Sequence, residues 1–521
     1  MNQSKAANLQ AGLAFIAGVL LSLPAQPGDA APSGALIVQV DGGRIRGEER
    51  QGVHRYLGVP YAAAPVGELR WRAPAAVKPW RGIRSATEFG ASCMQDEQHS
   101  RLPWTEEFMT QGPISEDCLF LNVWSPGQGA SNSPVMVFIY GGGFSEGSGS
   151  VAVYDGAALA RLGVVIVTIN YRLGPLGFLA HPQLTSESPD HVSGNYALLD
   201  QIAALQWVQR NIGTFGGDKH RVTIFGQSAG AMSVAALIQS PQAHNLFSRA
   251  IEESGPGLVP NGRFVRTLPE AEAAGIEYAQ ALGAADLKAL RALPASKVAT
   301  WPVTGQARRP GGFVRDEHLI SATDQVHGVP LMVGLVAGDG RLFAANAPTN
   351  LQDYRQMAQQ SFKDSADEFL QLYPAAQDAD VPLAYKHYVA DRLRLSLYAW
   401  AAEQAQALGP IYTYYFDQAI PWPEHPEFGA FHTAEIPYVF RTLDRLPRPW
   451  TADDRALSDR MSHYWVNFAA TGNPNATGLP EWPAYSVSEQ HTMHLGVQCG
   501  PMPVASAEAA KLLREGAPAP R

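Results

Sequence analysis

The chain contains 521 residues, of which 46% are hydrophobic and 17% are charged. This composition supplies apolar material for a large core and excludes a disordered chain, which combines low hydrophobicity with high net charge. The net charge is −9 at pH 7, and no basic stripe offsets it, so nucleic acid is not expected as a partner. Cysteine occurs 3 times, too rarely for a disulfide-rich scaffold or a cysteine-rich metal site.

The first thirty residues have the pattern of a secretory signal peptide. A lysine near the start is followed by an uncharged, apolar run over 11–23. This run is shorter than the roughly 20 apolar residues that span a bilayer, which favours a signal peptide over an uncleaved anchor. Small residues favour cleavage after Ala30, with Ala25 as the second choice. We therefore expect residues 1–30 to be removed and the mature chain 31–521 to be secreted or periplasmic, without stable membrane insertion.

Cys93 and Cys118 bracket a polar, loop-like stretch early in the chain. In an oxidising compartment they can close this stretch as a disulfide, and the alternative is two buried free thiols. Cys499 is left over near the C-terminus, and the sequence assigns it no role.

Alternating strand and helix patterns predict an α/β protein. Short β segments are predicted over 35–40, 55–61 and 119–124, before two continuously apolar strands over 135–140 and 164–170. Runs of the second kind are typical of central strands in a parallel sheet, which are buried on both faces. A helix with apolar residues at helical spacing follows over 195–212, then a strand over 222–225, a helix over 229–238 and a strand over 249–253.

The second half of the chain continues this pattern. Strands are predicted over 329–335 and 411–416, with a mostly helical segment over 352–408 between them. The Ala-rich, polar stretch 263–323 has a helical tendency. We interpret it as a helical insertion in a single domain that covers 31–521, and not as a second domain.

The pentapeptide GQSAG at 226–230 lies directly between the predicted strand 222–225 and the following helix. A nucleophile elbow has this context: the serine occupies a strained strand-to-helix turn, and small neighbours allow the turn without clashes. The turn exposes the Ser228 hydroxyl and leaves the N–H of Ala229 at a helix N-terminus, where developing negative charge is stabilised. An ordinary tight turn is the alternative, and the strand–turn–helix context favours the elbow.

A run of glycines supplies further hydrogen-bond donors. Gly141, Gly142 and Gly143 directly follow the strand 135–140, and glycine N–H groups can approach a substrate oxygen closely. A phosphate-binding loop is the alternative. It is disfavoured because the third glycine of G-x-G-x-x-G would fall at Glu146, whose carboxylate repels phosphate, and no Lys-Ser or Lys-Thr pair follows.

These motifs resemble the type-B carboxylesterases, the carboxylesterase–cholinesterase group of the α/β-hydrolase fold. One family signature is matched across 215–230 and a second, EDCLFLNV, across 116–123. The resemblance covers most of the chain after the signal segment. It implies the α/β-hydrolase fold, with a central, mostly parallel twisted sheet, helices on both faces and helical insertions. It also implies a disulfide between Cys93 and Cys118.

The resemblance also implies an oxyanion hole and a histidine loop. The oxyanion donors correspond to Gly142, Gly143 and Ala229. Ser254 matches a family serine behind the catalytic histidine, which gives it a supporting role. Thr433 stands where the family often has a small glycine.

The catalytic acid and base follow the serine in this fold, in the order Asp or Glu and then His. Asp339 lies in the turn after the strand 329–335, where it is equally compatible with a plain turn aspartate. The family pattern identifies it as the acid. His425 and His432 both lie in the loop after the strand 411–416, and the context FHTAEIPYVF, which resembles the family's histidine loop, identifies His432 as the base.

The resemblance implies a serine carboxylesterase that forms an acyl-enzyme and needs no cofactor or metal. We expect a small-molecule ester substrate, with an aryl or a short-chain alkyl group. Gln227 occupies the position of a cholinesterase glutamate, and the missing charge disfavours a choline ester. Three alternatives stay open: an exported hydrolase of tricarballylic esters on mycotoxins, a hydrolase of amides or carbamates, and a non-catalytic binding member of the family.

The sequence leaves two further points open. Arg308 and Arg309 can meet substrate carboxylates or form an ordinary solvated surface. The oligomeric state is not indicated by any pattern in the chain.

Overall fold

The computed structural model describes residues 36–96, 100–127, 129–255, 265–301, 312–320, 328–340, 347–405 and 407–516. The predicted signal peptide, together with Arg308 and Arg309, lies outside the described residues.

The described strands and helices alternate along most of the chain. The strands are β1 Ile37–Val40, β2 Gly43–Arg46, β3 Glu48–Arg50, β4 Val53–Pro60, β5 Ile83–Ser85, β6 Ser92–Cys93, β7 Ile114–Ser115, β8 Phe120–Pro126, β9 Ser133–Ile139, β10 Val165–Ile169, β11 Gly217–Gln227, β12 Arg249–Glu253, β13 Val265–Thr267, β14 Phe313–Arg315, β15 Leu331–Val336, β16 Ile411–Phe416, β17 His491–Leu495 and β18 Gly500–Pro503. The α-helices are Ala157–Ala160, Gly174–Phe178, Pro182–Glu187, Tyr196–Asn211, Ala229–Gln239, Leu268–Ala281, Leu287–Ala292, Ala295–Val298, Leu351–Phe362, Ala366–Leu372, Val381–Gln404, Ile436–Val439, Ala452–Thr471 and Ala507–Gly516.

One large sheet dominates the described residues. It has 11 strands in the order β18-β17-β16-β15-β12-β11-β9-β10-β8-β4-β3. Neighbouring strands from β17 to β10 are parallel, whereas β18 at one edge and β8, β4 and β3 at the other pair antiparallel. The prediction of a mostly parallel central sheet is confirmed.

The central strands form the core of this sheet. All side chains of β10, and those from Val135 to Ile139 in β9, are buried. Each of these strands has a hydrogen-bonded neighbour on both sides, so burial comes from layers packed above and below the sheet. The apolar runs of the sequence therefore correspond to strands buried on both faces.

The sheet topology brings several loops to one edge. From β9 the chain passes to β10 on one side and then returns to β11 on the other side of β9. In register, Ile139 of β9 pairs with Gly226 of β11, and Gln227 pairs with Glu253 of β12. The carboxyl ends of β9, β11, β12, β15 and β16 thus meet at one edge, where ligands bind in open α/β sheets.

The stretch interpreted as an insertion has three short helices and the parallel strand pair β13–β14 among its described residues. Whether it belongs to a single domain stays a prediction. No helix among the described residues combines the length and apolar character needed to cross a bilayer.

Candidate active site

Ser228 occupies a sharp turn between β11 and the helix Ala229–Gln239. Its backbone has φ 56° and ψ −122°, which is rare for a residue with a side chain. The turn requires small neighbours: a Cβ on Gly230 would lie 1.9 Å from the carbonyl oxygen of Ile139, and one on Gly226 would lie 2.7 Å from the same oxygen. The Ser228 N–H donates to the carbonyl oxygen of Glu253 at 2.8 Å. The elbow geometry predicted from the pentapeptide is therefore present.

The glycine run after β9 lies against this turn. A Cβ on Gly141 would be 3.0 Å from the Cβ of Ser228. Gly142 and Gly143 have φ of 109° and 61°, backbone conformations that glycine adopts without a steric penalty. Within the described part of the chain, the N–H groups of Gly142, Gly143 and Ala229 donate to no acceptor, and the last belongs to the first turn of a helix. These three N–H groups belong to the serine turn and to the glycine run that lies against it.

Asp339 and His432 are in direct contact. The Nδ1 atom of His432 is 2.6 Å from Oδ1 of Asp339, and their side chains are 11% and 3% exposed. The other oxygen of Asp339 accepts a hydrogen bond from the N–H of Val336 at 2.9 Å. The two loops are joined by the N–H of Gly338, which donates to the carbonyl oxygen of Ala430 at 2.8 Å. A carboxylate at Nδ1 keeps the proton on that nitrogen and leaves the Nε2 lone pair as an acceptor.

The side-chain amide of Gln227, and not the hydroxyl of Ser228, bonds to this Nε2 atom of His432. The Nε2 atom of this buried amide is 3.2 Å from Nε2 of His432, and the amide donates to the imidazole. No hydrogen bond between the Ser228 hydroxyl and His432 is present among the described residues. The other histidine considered, His425, lies 3.1 Å from Glu427 and makes no contact with Asp339.

The structure thus brings the predicted acid and base together and holds the histidine on the residue that precedes the serine. A Ser228–His432 hydrogen bond requires the Gln227 amide to leave the imidazole. In many enzymes the catalytic hydrogen bonds are long or poorly aligned without substrate and shorten only when substrate is bound.

Behind the site lie two buried carboxyl groups that the sequence analysis missed. Glu253 accepts a hydrogen bond from the indole N–H of Trp465 at 2.7 Å, and burial raises its pKa to about 8. Burial also raises the pKa of Glu435 well above its usual range, and the charges of Glu253 and Asp339 add to the rise. Glu435 lies in a largely apolar run, a signal that could have identified it as buried, whereas Glu253 is flanked by polar and charged residues that give no such signal.

Ser254 belongs to this buried group. Its N–H donates to the carbonyl oxygen of Gly334 at 2.9 Å. The Ser254 hydroxyl and both carboxyl oxygens of Glu435 are buried without a hydrogen-bond partner among the described residues. No hydrogen bond from Ser254 to His432 is seen among the described residues, so its supporting role stays a prediction.

The remaining site predictions concern cysteines and metals. Cys93 and Cys118 are joined in a disulfide, and Cys499 is a half-buried free thiol. Within the described ranges, no group of three or more His, Cys, Asp or Glu side chains is arranged to hold a metal ion.

Comparisons with known proteins agree with this architecture. The family model described as Carboxylesterase family matches residues 34–511. The chain is 40% identical over 488 residues to a fumonisin B1 esterase of Sphingopyxis macrogoltabida, covering 89% of this chain and 87% of the relative. It is 36% identical over 491 residues to the para-nitrobenzyl esterase of Bacillus subtilis (strain 168), covering 88% of this chain and 94% of the relative.

A solved structure of a PNB esterase matches with a TM-score of 0.73 and 32% sequence identity, over 92% of this chain and 99% of that chain. The match confirms the predicted α/β-hydrolase fold, with helices around a mostly parallel central sheet. The family model spans nearly the whole described region, and the relatives named above are esterases. This chain therefore belongs to the carboxylesterase family.

Proposed function

We propose that this carboxylic ester hydrolase works through an acyl-enzyme formed on Ser228, with His432 as general base and Asp339 as its orienting acid. The single observation that carries the proposal is the 2.6 Å contact between His432 Nδ1 and Asp339 Oδ1 at the sheet edge that also holds the strained Ser228 turn. A serine hydroxyl is a poor nucleophile at neutral pH, and such an imidazole–carboxylate pair is what activates it.

The first half of the reaction begins when the Gln227 amide releases Nε2 of His432. The Nε2 lone pair then takes the hydroxyl proton as Ser228 Oγ forms a bond to the ester carbonyl carbon. The carbonyl oxygen becomes an oxyanion, which the N–H groups of Gly142, Gly143 and Ala229 stabilise. Loss of one such donor typically costs about 3 to 4 kcal/mol of transition-state stabilisation.

The second half regenerates the enzyme. The Nε2–H of His432 protonates the leaving oxygen as its bond to the carbonyl carbon breaks, and the alcohol departs. A water molecule then gives a proton to Nε2 and attacks the acyl-enzyme, and Ser228 recovers its proton as the carboxylic acid leaves. Asp339 stabilises the imidazolium that forms in each half-reaction.

For the substrate we propose an aryl or short-chain alkyl ester. The identity to para-nitrobenzyl esterase supports an aromatic ring in the substrate, and the neutral Gln227 beside the imidazole offers no charge to attract a cationic alcohol. The second candidate is an ester of a mycotoxin, which the 40% identity to fumonisin B1 esterase supports. A panel containing p-nitrophenyl acetate, p-nitrophenyl butyrate, benzoylcholine, p-nitroacetanilide and fumonisin B1 separates these classes.

We also propose that the protein is secreted or periplasmic. The disulfide between Cys93 and Cys118 supports this compartment because such bonds persist in oxidising surroundings. N-terminal sequencing of exported protein would locate the cleavage site, expected after Ala30.

Rapid mixing with p-nitrophenyl acetate tests the mechanism. An acyl-enzyme on Ser228 predicts a burst of nitrophenol that matches the enzyme concentration and disappears in Ser228→Ala. Ser85→Ala, at an exposed serine in β5, is the matched control and should keep the burst. Undiminished ester turnover in Ser228→Ala would contradict the proposal.

A further inference from the structure

The residue after His432 has a strained backbone. Thr433 has φ 88°, a left-handed conformation in which β-branched residues are genuine outliers. Such a conformation persists only where the surroundings hold it, and strained residues of this kind cluster at active sites. The strain at Thr433 directly affects the position of His432, because the two residues are adjacent in the chain.

One long-range hydrogen bond holds Thr433. The indole Nε1–H of Trp104 donates to the Thr433 hydroxyl at 2.9 Å, although the two residues are 329 positions apart. The indole also packs edge-on against Phe431, with ring centroids 6.5 Å apart. Trp104 therefore contacts the residues on both sides of His432, and no hydrogen bond between Trp104 and the imidazole is found among the described residues.

Trp104 is itself held by contacts within its own segment. It belongs to the segment closed by the Cys93–Cys118 disulfide, and the guanidinium of Arg101 lies 5.5 Å from the centre of its ring. Arg101 forms an ion pair with Glu146, which follows the glycine run. The segment thus connects the loop of the oxyanion donors to the loop of the histidine.

We propose that Trp104 is a positioning residue for ester hydrolysis: by bonding Thr433 in its left-handed conformation, it aims His432 at Ser228. This inference rests on the proposed function, and it assigns to Trp104 no contact with the reacting atoms. A loss of aim affects proton transfer in the transition state more than substrate binding. The expected signature is therefore a lower kcat at an unchanged KM.

The first test compares Trp104→Phe with the native protein on p-nitrophenyl acetate. The phenylalanine keeps an aromatic ring and removes the donor. We expect kcat to fall about tenfold, the equivalent of one hydrogen bond lost in the transition state, with KM changed less than about twofold. Trp80→Phe is the matched control: its indole donates to the carbonyl oxygen of Arg44 at 3.0 Å in a separate small sheet, and the change should leave kcat intact.

The second test asks whether Trp104 acts through Thr433. Glycine adopts the left-handed conformation without a holding bond, so Thr433→Gly should restore kcat when added to Trp104→Phe. In the Thr433→Gly background, Trp104→Phe should lower kcat by less than about twofold. A general destabilisation of the fold would not make the effect of one substitution depend on the other in this way. Thr433→Ser keeps the acceptor and should resemble the native protein.

The outcomes separate this inference from the proposed function. If Ser228→Ala keeps its turnover, the proposed function is wrong. If Ser228→Ala is inactive but Trp104→Phe matches Trp80→Phe, the mechanism stands and the positioning role is refuted. Equal losses from Trp104→Phe in the native and the Thr433→Gly backgrounds would also refute it. If Trp104→Phe fails to fold, Thr433→Val removes the acceptor of the same hydrogen bond, and a kcat equal to that of Thr433→Ser would refute the positioning role.

Discussion

Replacing Glu253 with glutamine is expected to change how the stability of the protein depends on pH. The buried carboxyl has its pKa raised by burial from 4.5 to about 8. Between these values the folded protein keeps the proton while the unfolded chain releases it, so a rise in pH favours unfolding. The stability linked to this group is full below the unfolded pKa and is lost as the pH rises through the folded one. Each pH unit is worth about 1.4 kcal/mol, so the whole range amounts to about 5 kcal/mol.

Glutamine has nearly the same shape, and its side-chain oxygen can still accept the Trp465 hydrogen bond, but it does not titrate. The free energy of unfolding is measured by urea denaturation at pH 5.5 and at pH 7.5. Between these two pH values the native protein should lose about 3 kcal/mol more unfolding free energy than Glu253→Gln. Taking the difference between the two proteins cancels titrations that they share. Glu68→Gln, at an exposed position, should show no such shift. If the difference in unfolding free energy between Glu253→Gln and the native protein is the same at both pH values, the raised pKa and the burial that causes it are refuted.

Three further substitutions test the fold and the site. Asp200→Asn breaks the buried ion pair with Arg172, whose N–O distance is 2.7 Å, and should lower the free energy of unfolding by about 3 to 5 kcal/mol in urea denaturation. Gly230→Ala forces a Cβ to within 1.9 Å of a carbonyl oxygen of β9 and should lower kcat/KM about 100-fold, whereas Gly213→Ala, with open space at its Cβ, should not. Gln227→Glu puts a carboxylate beside the imidazole and stabilises its protonated form, so the acid limb of kcat/KM should move up by about one pH unit or more.

The parts of the fold that could be predicted from the sequence are those with a local cause. The strand 411–416 has the predicted bounds because IYTYYF is a continuous run of β-favouring residues. The strand 249–253 also has the predicted bounds, although Ile251 is its one β-favouring residue. β11 begins earlier than predicted, at Gly217, because Gly217 pairs with Ser133 of β9. The strand therefore includes a polar stretch that shows no strand pattern in the sequence. The Ser228 turn was predictable because its glycines and its strand–turn–helix context are all adjacent in sequence.

The parts that could not be predicted depend on side-chain choices between distant segments. The chain gives no local sign that the Gln227 amide, and not the Ser228 hydroxyl, bonds His432, because rotamers of neighbouring residues decide it. The contact of Trp104 with Thr433 likewise joins two loops that no periodicity relates. Local patterns and the family resemblance therefore predicted the candidate catalytic residues, while the contacts around them required the tertiary structure.

Covalent labelling with an organophosphate tests the central claim most directly. Such a reagent reacts with an activated serine, and peptide mass spectrometry locates the adduct. If Ser228 is the nucleophile, we expect one adduct, on the peptide that contains Ser228, with ester turnover lost in proportion and no adduct in Ser228→Ala. An adduct on a different serine, or turnover that survives complete labelling of Ser228, would contradict it.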